Sequence, residues 1–561
     1  MAIAAWATSS VLGVAFHAGL QFVEIDFVVP QTAVCLVAFA LAGLYADSQI
    51  FHKPLLDSVA SLAIFATGFL SSLAVSTIVY RLFFHRLRKF PGPLGAKISK
   101  FYSLYLSRNI QYHFELDKLH EKYGDVVRTG PRELSIARIS PLNQIITCGK
   151  GNFYGMAETR IERQGLPFKM DPEDHRRGRR AWEISMTPQQ VARYNDGMQS
   201  TISLFLDRLT EPKYLGKPVN VTDWISWLGY DIMGVVGFGR DFDCLRNATD
   251  HAAIKQMHEF GFALGLLKHV PWLGNILGRM PGGQSAMEPY ARYCRDLVRE
   301  KMKAVHSTSE KADAPTDILA WLIQAFEEKK PWGAKTIEGL DDDTRSLVMA
   351  GADTATATMT NFFYYLSLHP SIQQDLYTAI SASVPASALA DPSTLTPDLL
   401  DRVPLLEAIV NETLRLQPPI PSGNPRVTPP EGLYVRDAKY GDISIPGNTV
   451  VLMPQWVIQR DERYFGRAND FVPTRWIAGS PEAGLLHDRS AWFPFQLGTY
   501  YCVGQKLAMW ELKSVLARTI AKFEVSFADG EDGKKFITGS RDCWTLMLPE
   551  LKVCFKERKS E

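Results

Sequence analysis

The chain has 561 residues, 46% of them hydrophobic, with 61 Lys and Arg against 60 Asp and Glu. Such balance leaves no basic footprint for nucleic acid. Seven scattered cysteines with no C-x-x-C argue against a zinc or disulfide framework and favour a reducing compartment for the body of the protein.

Residues 1–90 differ from the rest. No Lys or Arg precedes Lys53, and apolar stretches run over about Ile3 to Val23, Thr32 to Tyr45 and Val59 to Tyr80. A helix of roughly 20 apolar residues spans a bilayer. The third stretch meets that length, the first comes near it, and the second is short enough to be interfacial or tilted. A signal peptide is not expected, because the basic n-region is missing. Arg81, Arg86, Arg88 and Lys89 place the end of the third stretch on the cytoplasmic side. Pro91, Gly92 and Pro93 then break the helix. The expected organisation is a membrane anchor over 1–90, with one to three transmembrane helices, and a cytosolic body over 91–561. The body is mostly α, without repeats, and has short strands within Gly124–Ala137 and Asp442–Met453.

Four motifs carry chemistry, in chain order. "DHRRGRRAW" (Asp174–Trp182) is a basic helix that places His175 and Arg179 on one face. "LVMAGADTATATMT" (Leu347–Thr360) is helical, with a small face at Ala350 and Gly351 against which a flat ligand fits. Thr354 in it can bond back one turn and bend the helix. "EAIVNETLRLQPPIP" places Glu412 and Arg415 on one helix face, and Arg475 of "FVPTRW" can join them in a bidentate network. "FQLGTYYCVGQKLA" (Phe495–Ala508) puts Cys502 between Gly498 and Gly504 at a helix N-terminus, where N–H groups and the helix dipole favour a thiolate. Taken singly, each has an ordinary structural explanation: a solvated charged face, helix packing, a surface ion pair or a buried cysteine.

Together and in this order the motifs resemble the cytochrome P-450 family, from about Phe90 onward. The cysteine loop matches F-x-x-G-x-x-x-C-x-G at Phe495, Gly498, Cys502 and Gly504. The other matches are to A-G-x-D-T, E-x-x-R and P-x-R-W. The family usually has Arg or His two residues before the cysteine; here Tyr500 stands there. That variant resembles a fungal subgroup that includes tryprostatin B hydroxylase-like enzymes.

The resemblance implies a mainly α cytochrome P-450 fold with small β-sheets, preceded by transmembrane helices. It implies haem b with the Cys502 thiolate as axial ligand, cradled by Phe495, Gly498, Gly504, Ala350 and Gly351. His175, Arg179, Arg426 and Tyr500 would serve the haem propionates. Thr354 would support oxygen activation and Asp353 would help deliver protons, while Glu412, Arg415 and Arg475 would be structural. The reaction expected is insertion of one oxygen atom from O2 into a lipophilic small molecule, a terpenoid or alkaloid of secondary metabolism, entering from the membrane lipid. Electrons would come from a separate NADPH-cytochrome P-450 reductase, since "GVVGFG" (Gly234–Gly239) lacks dinucleotide-loop spacing. The expected location is the endoplasmic reticulum membrane with the body facing the cytosol, and the sequons at Asn220, Asn247 and Asn411 read as accidental. The alternatives are a reductase-independent haem-thiolate isomerase or dehydratase, against which the Asp353-Thr354 pair argues, and a haem-free membrane scaffold.

Overall fold

The computed structural model describes residues 2–21, 28–156, 161–283, 285–307, 315–391 and 394–558. Helices α1 (Ala2–Leu20), α2 (Val29–Tyr45) and α3 (Leu55–Val79) begin the chain. Their large apolar side chains are mostly exposed, Ile3, Phe39 and Leu56 among them. That pattern suits lipid as the surrounding solvent. Glycine lets α1 and α3 approach closely. A Cβ at Gly13 would meet Phe69 O at 2.4 Å, and one at Gly68 would meet Trp6 O at 2.8 Å. His17 Nδ1 and Ser76 Oγ are hydrogen-bonded at 2.8 Å. The matched positions rise together along both helices, so α1 and α3 run parallel.

Among the described residues, three segments are long and apolar enough to cross a membrane: Ile3–Leu20, Val29–Ile50 and Leu55–Phe84. The second is longer than its apolar run suggested. Pro30 opens it in the first turn, and a π turn carries it from Ala46 to Ile50. The third starts before Val59 because Pro54 and Asp57 are N-terminal residues of a helix rather than its boundary.

After the anchor, the chain crosses the first strand of the body. Arg128 N–H donates to Pro91 O at 2.7 Å. At Gly92, with φ +153°, a Cβ would lie 2.4 Å from Arg128 O, so only glycine fits. Strands β1 (Val126–Gly130), β2 (Glu133–Ile136), β3 (Gly149–Lys150), β4 (Arg426–Val427) and β5 (Val450–Leu452) form one sheet in the order β1-β2-β5-β4-β3. Only the β2–β5 pairing is parallel; β3 and β4 pair antiparallel with Lys150 opposite Arg426. Val127, Leu134, Ile136 and Val451 bury one apolar core beneath this sheet.

Helices α4 (Pro172–Ser185), α5 (Val221–Phe238), α6 (Ala252–Leu267), α7 (Ile337–Leu368), α8 (Pro404–Leu416) and α9 (Gln505–Lys522) position the site. Caps set several of their starts: Asp171 accepts from Asp174 N–H, Asn220 from Thr222 N–H and Thr336 from Gly339 N–H. The long helix α7 runs through a second core and packs on α5, α8 and α9. Its Leu340, Val348, Phe362 and Phe363 are fully buried, each worth about 1.5–3 kcal/mol of transfer free energy.

Body and anchor also touch. The helix Pro271–Arg279 packs on α2, and within the body its Trp272 meets Phe101 edge-on at 5.8 Å. A cavity of about 680 Å³ lies where the ends of α1 and α3 meet the body, with His17, Tyr80, Arg81, Lys268, Trp272 and Trp544 in its wall.

Candidate active site

The Phe495–Gly504 loop turns tightly before α9. Gln496 and Gly498 take left-handed φ values of 58° and 64°, and Cys502 N–H donates to Phe495 O at 2.7 Å. The first turn of α9 then presents the N–H groups of Gly504 and Gln505 to the Cys502 sulfur. The thiol is densely surrounded by protein yet keeps an accessible surface. Burial pushes its pKa up; the Gly504 N–H, Arg179 and the Gln505 N–H pull the other way. The sulfur is therefore held ready for a partner that favours its anion.

Helix α4 brings His175 and Arg179 to the same loop. Arg179 Nη1 donates to Tyr501 O at 2.7 Å, and its guanidinium lies 3.9 Å from the centre of the Tyr501 ring. The Tyr500 ring sits 4.7 Å from the His175 ring, with the Arg426 guanidinium at 4.5 Å and Lys150 Nζ at 5.2 Å. Three cationic or potentially cationic side chains, His175, Arg426 and Lys150, thus converge on the Tyr500 phenol, and Arg179 sits on the neighbouring Tyr501. Burial and then Lys150, Arg179, Arg426 and Lys169 push His175 down to about 3.

On α7, Thr354 Oγ1 donates to Ala350 O at 2.8 Å, one turn back. Asp353 Oδ1 accepts from the Tyr230 hydroxyl of α5 and lies 3.3 Å from His258 Nε2 of α6. Tyr230 Oη and His258 Nε2 are 2.9 Å apart, so three helices meet at one carboxylate. Burial alone would lower the His258 pKa, but the hydrogen bond and charge of Asp353, with Asp250, leave it raised. Ala350 is exposed. Gly351, expected at the cofactor, instead faces α5, where a Cβ would strike Met233 Cε at 2.1 Å; its smallness serves helix packing.

Below the cysteine loop, Glu412 is completely buried and accepts five hydrogen bonds. Arg415 Nη2 and Nε donate to it at 2.8 Å each, Arg475 Nε at 3.1 Å, Val472 N–H at 2.9 Å and Trp476 Nε1 at 2.9 Å. Both guanidiniums also donate to carbonyls, Arg415 to Gln459, Ala468 and Asp470, and Arg475 to Gly466.

The family model described as Cytochrome P450 matches residues 91–555. The chain belongs to the cytochrome P450 family. A cytochrome P450 monooxygenase of Eupenicillium brefeldianum, orf5, is 32% identical over 500 residues, covering 88% of this chain and 96% of its own. Tryprostatin B 6-hydroxylase of Aspergillus fumigatus is 30% identical over 533 residues, covering 94% and 90%. The crystal structure of the cytochrome P450DA heme domain superposes with a TM-score of 0.66 at 16% identity, covering 84% of this chain and 98% of that one. The fold is thus the mainly α P450 fold with small sheets. P450 enzymes are oxidoreductases that use haem with a cysteine thiolate as axial ligand, O2, a redox partner and lipophilic substrates.

The donor set of this P450 suits that group. His175 Nδ1 and Arg179 Nη2 are buried without a hydrogen-bond partner among the described residues. Orphaned buried donors beside a crowd of cations call for an anion, and the haem propionates are carboxylates. Three groups escaped sequence reasoning. Lys150 stands in the unremarkable "TCGKGNF", and Tyr230 and His258 lie on helices that show only apolar periodicity. Nothing in the spacing points to them, because α5, α6 and α7 meet only in the folded chain.

Proposed function

We propose that this P450 is a membrane-anchored haem-thiolate monooxygenase acting on a lipophilic substrate of secondary metabolism, of terpenoid or alkaloid class. The named activity of the Aspergillus relative, hydroxylation of tryprostatin B, supports that chemical class. Residues 1–90 form the anchor and 91–561 the catalytic body. Cys502 is the axial ligand, within a loop shaped by Phe495, Gly498 and Gly504. The observation that carries the reading is the Cys502 sulfur fixed by the Gly504 and Gln505 N–H groups beneath a cluster of buried, anion-seeking donors.

When bound, haem supplies the oxygen activation and insertion. The protein positions and protonates. His175, Arg179 and Arg426 hold the propionate edge, with Tyr500 packed between them as a neutral hydrogen-bonding ring. Asp353 holds and passes a proton at Oδ1, and the Thr354 hydroxyl, poised on Ala350 O, orients it toward the reaction face of α7. The buried Glu412–Arg415–Arg475 network fixes α8 to the segment that leads into the cysteine loop.

Substrate reaches the body through the cavity at the junction with the anchor, whose wall offers Tyr80, Trp272 and Trp544. Trp544 lies 6.5 Å from the Tyr154 ring, and Tyr154 Oη accepts from Arg426 Nη1 at 3.2 Å, so the cavity borders the cationic cluster. Electrons come from an NADPH-cytochrome P450 reductase in the same endoplasmic reticulum membrane, with the body on the cytosolic side beside Arg86, Arg88 and Lys89.

The test is the carbon monoxide difference spectrum of the reduced, purified protein. The wild type shows the thiolate-type band, and Cys502→Ser loses both that band and reductase-supported oxygenation. A variant that keeps both would overturn the reading.

A further inference from the structure

Lys150 is the least explained charge in the body. It is 7% exposed, and β3–β4 pairing places it directly opposite Arg426, itself 4% exposed. Like charges facing each other across strands destabilise a sheet, and a buried unpaired ammonium costs several kcal/mol. Two of the three Lys150 donors go to uncharged acceptors, Leu166 O at 3.2 Å and Pro167 O at 2.7 Å. Arg426 Nη1 also has only uncharged partners, Tyr154 Oη and Pro425 O, each at 3.2 Å. Among the described residues neither cation forms an ion pair. The nearby Lys169, by contrast, is matched by Asp174 at 2.7 Å. Burial first, then Arg426 and Lys169, hold the Lys150 pKa well below its ordinary value. A negative group placed between the two side chains would relieve both burial and repulsion and restore the Lys150 charge.

Tyr500 gives the reason for the surplus. It occupies the position where the family resemblance leads one to expect a basic residue, and Lys150 Nζ and the Arg426 guanidinium lie 5.2 and 4.5 Å from its ring. We propose that Lys150 is a haem-propionate ligand of this chain, supplying with Arg426 the positive charge that Tyr500 does not. The inference rests on the haem-thiolate reading above, and predicts a compensated swap: a cation moved from the cysteine loop to strand β3.

The experiment uses full-length holoenzyme in detergent or nanodiscs, with Lys150→Met, Lys150→Arg, Tyr500→His and the double variant Lys150→Met/Tyr500→His. Two quantities are read: the rate of haem transfer to excess apomyoglobin, and the haem reduction potential by dye-coupled titration. Lys150→Met releases haem at least about tenfold faster, the scale of one charge-assisted hydrogen bond, and its potential shifts negative as propionate charge goes uncompensated. Lys150→Arg stays near wild type, and Tyr500→His placed on Lys150→Met recovers both readouts. Wild-type release and potential in Lys150→Met overturn the proposal, as does a double variant no better than Lys150→Met. Should Lys150→Met fail to fold, recovery of a folded holoenzyme by adding Tyr500→His supports the swap, and failure of both overturns it. The carbon monoxide band of the wild type separates the two claims. Its absence overturns the Cys502 reading, whereas its presence with unchanged release overturns only the role of Lys150.

Discussion

Asp353 has a route to solvent that its neighbours in sequence do not reveal. Its partner His258 keeps a partly exposed side chain, so the path from Asp353 through Tyr230 and His258 runs from α7 toward water. Asp353→Asn is expected to lower turnover about 10²-fold or more, the usual size of a lost proton-transfer group, with product formed per NADPH consumed falling as well. His258→Gln gives a smaller loss and flattens the alkaline limb of the pH–rate profile. The sign follows from the raised His258 pKa. The folded protein keeps the His258 proton to higher pH than the unfolded chain does, so this pairing stabilises the fold fully below the ordinary imidazole value of 6.5 and is lost as pH rises through the raised folded value. A profile in which His258→Gln matches wild type across that range would remove His258 from the path. At this scale the sequence exposed residues joined by short motifs, such as Cys502 with Gly504 or Glu412 with Arg415. It hid Lys150, Tyr230 and His258, whose partners lie on other elements.

Among the elements, α8 and the Pro473–Trp476 turn depend on each other through one carboxylate. Glu412 is sealed among five donors, two of them guanidiniums. Removing one member leaves buried charge uncompensated, at about 3–5 kcal/mol. Arg475→Met and Glu412→Gln are each expected to lower the unfolding free energy from urea titration by that much and to release haem as the cysteine loop loosens. Glu412→Gln combined with Arg415→Met should cost less than the sum of the two, because the pair shares one penalty; strict additivity would argue against a single network. Helix existence was readable here from periodicity and proline punctuation, and the strands at β1, β2 and β5 from alternation. Ends were less readable. The second apolar helix runs on to Ile50 because a π turn tolerates Asp47 and Ser48, which composition alone takes as a stop. Gly351 was misjudged for a related reason: a small face on α7 reads the same whether it meets a ligand or Met233.

The whole molecule has a handed relation between anchor and body. We read all three apolar segments as crossings; parallel α1 and α3, joined through α2, would then put the start of α1 and the body on opposite sides of the bilayer. An N-x-T tag fused ahead of Met1 is expected to be glycosylated in microsomes, while Asn220, Asn247 and Asn411 stay bare. Asn220 caps α5 and Asn411 is buried, so neither can accept a glycan in the folded body. A bare tag would reverse the orientation. The mouth of the junction cavity belongs to both parts, with His17 and Tyr80 on one side and Trp272 and Trp544 on the other. On the proposed entry route, selectivity would belong to both parts and not travel with the body alone. Exchanging the three spans for an unrelated single-pass leader should leave the pigment intact while changing which compounds are taken up, and enzymes of this design would trade clientele by recombining their membrane segments.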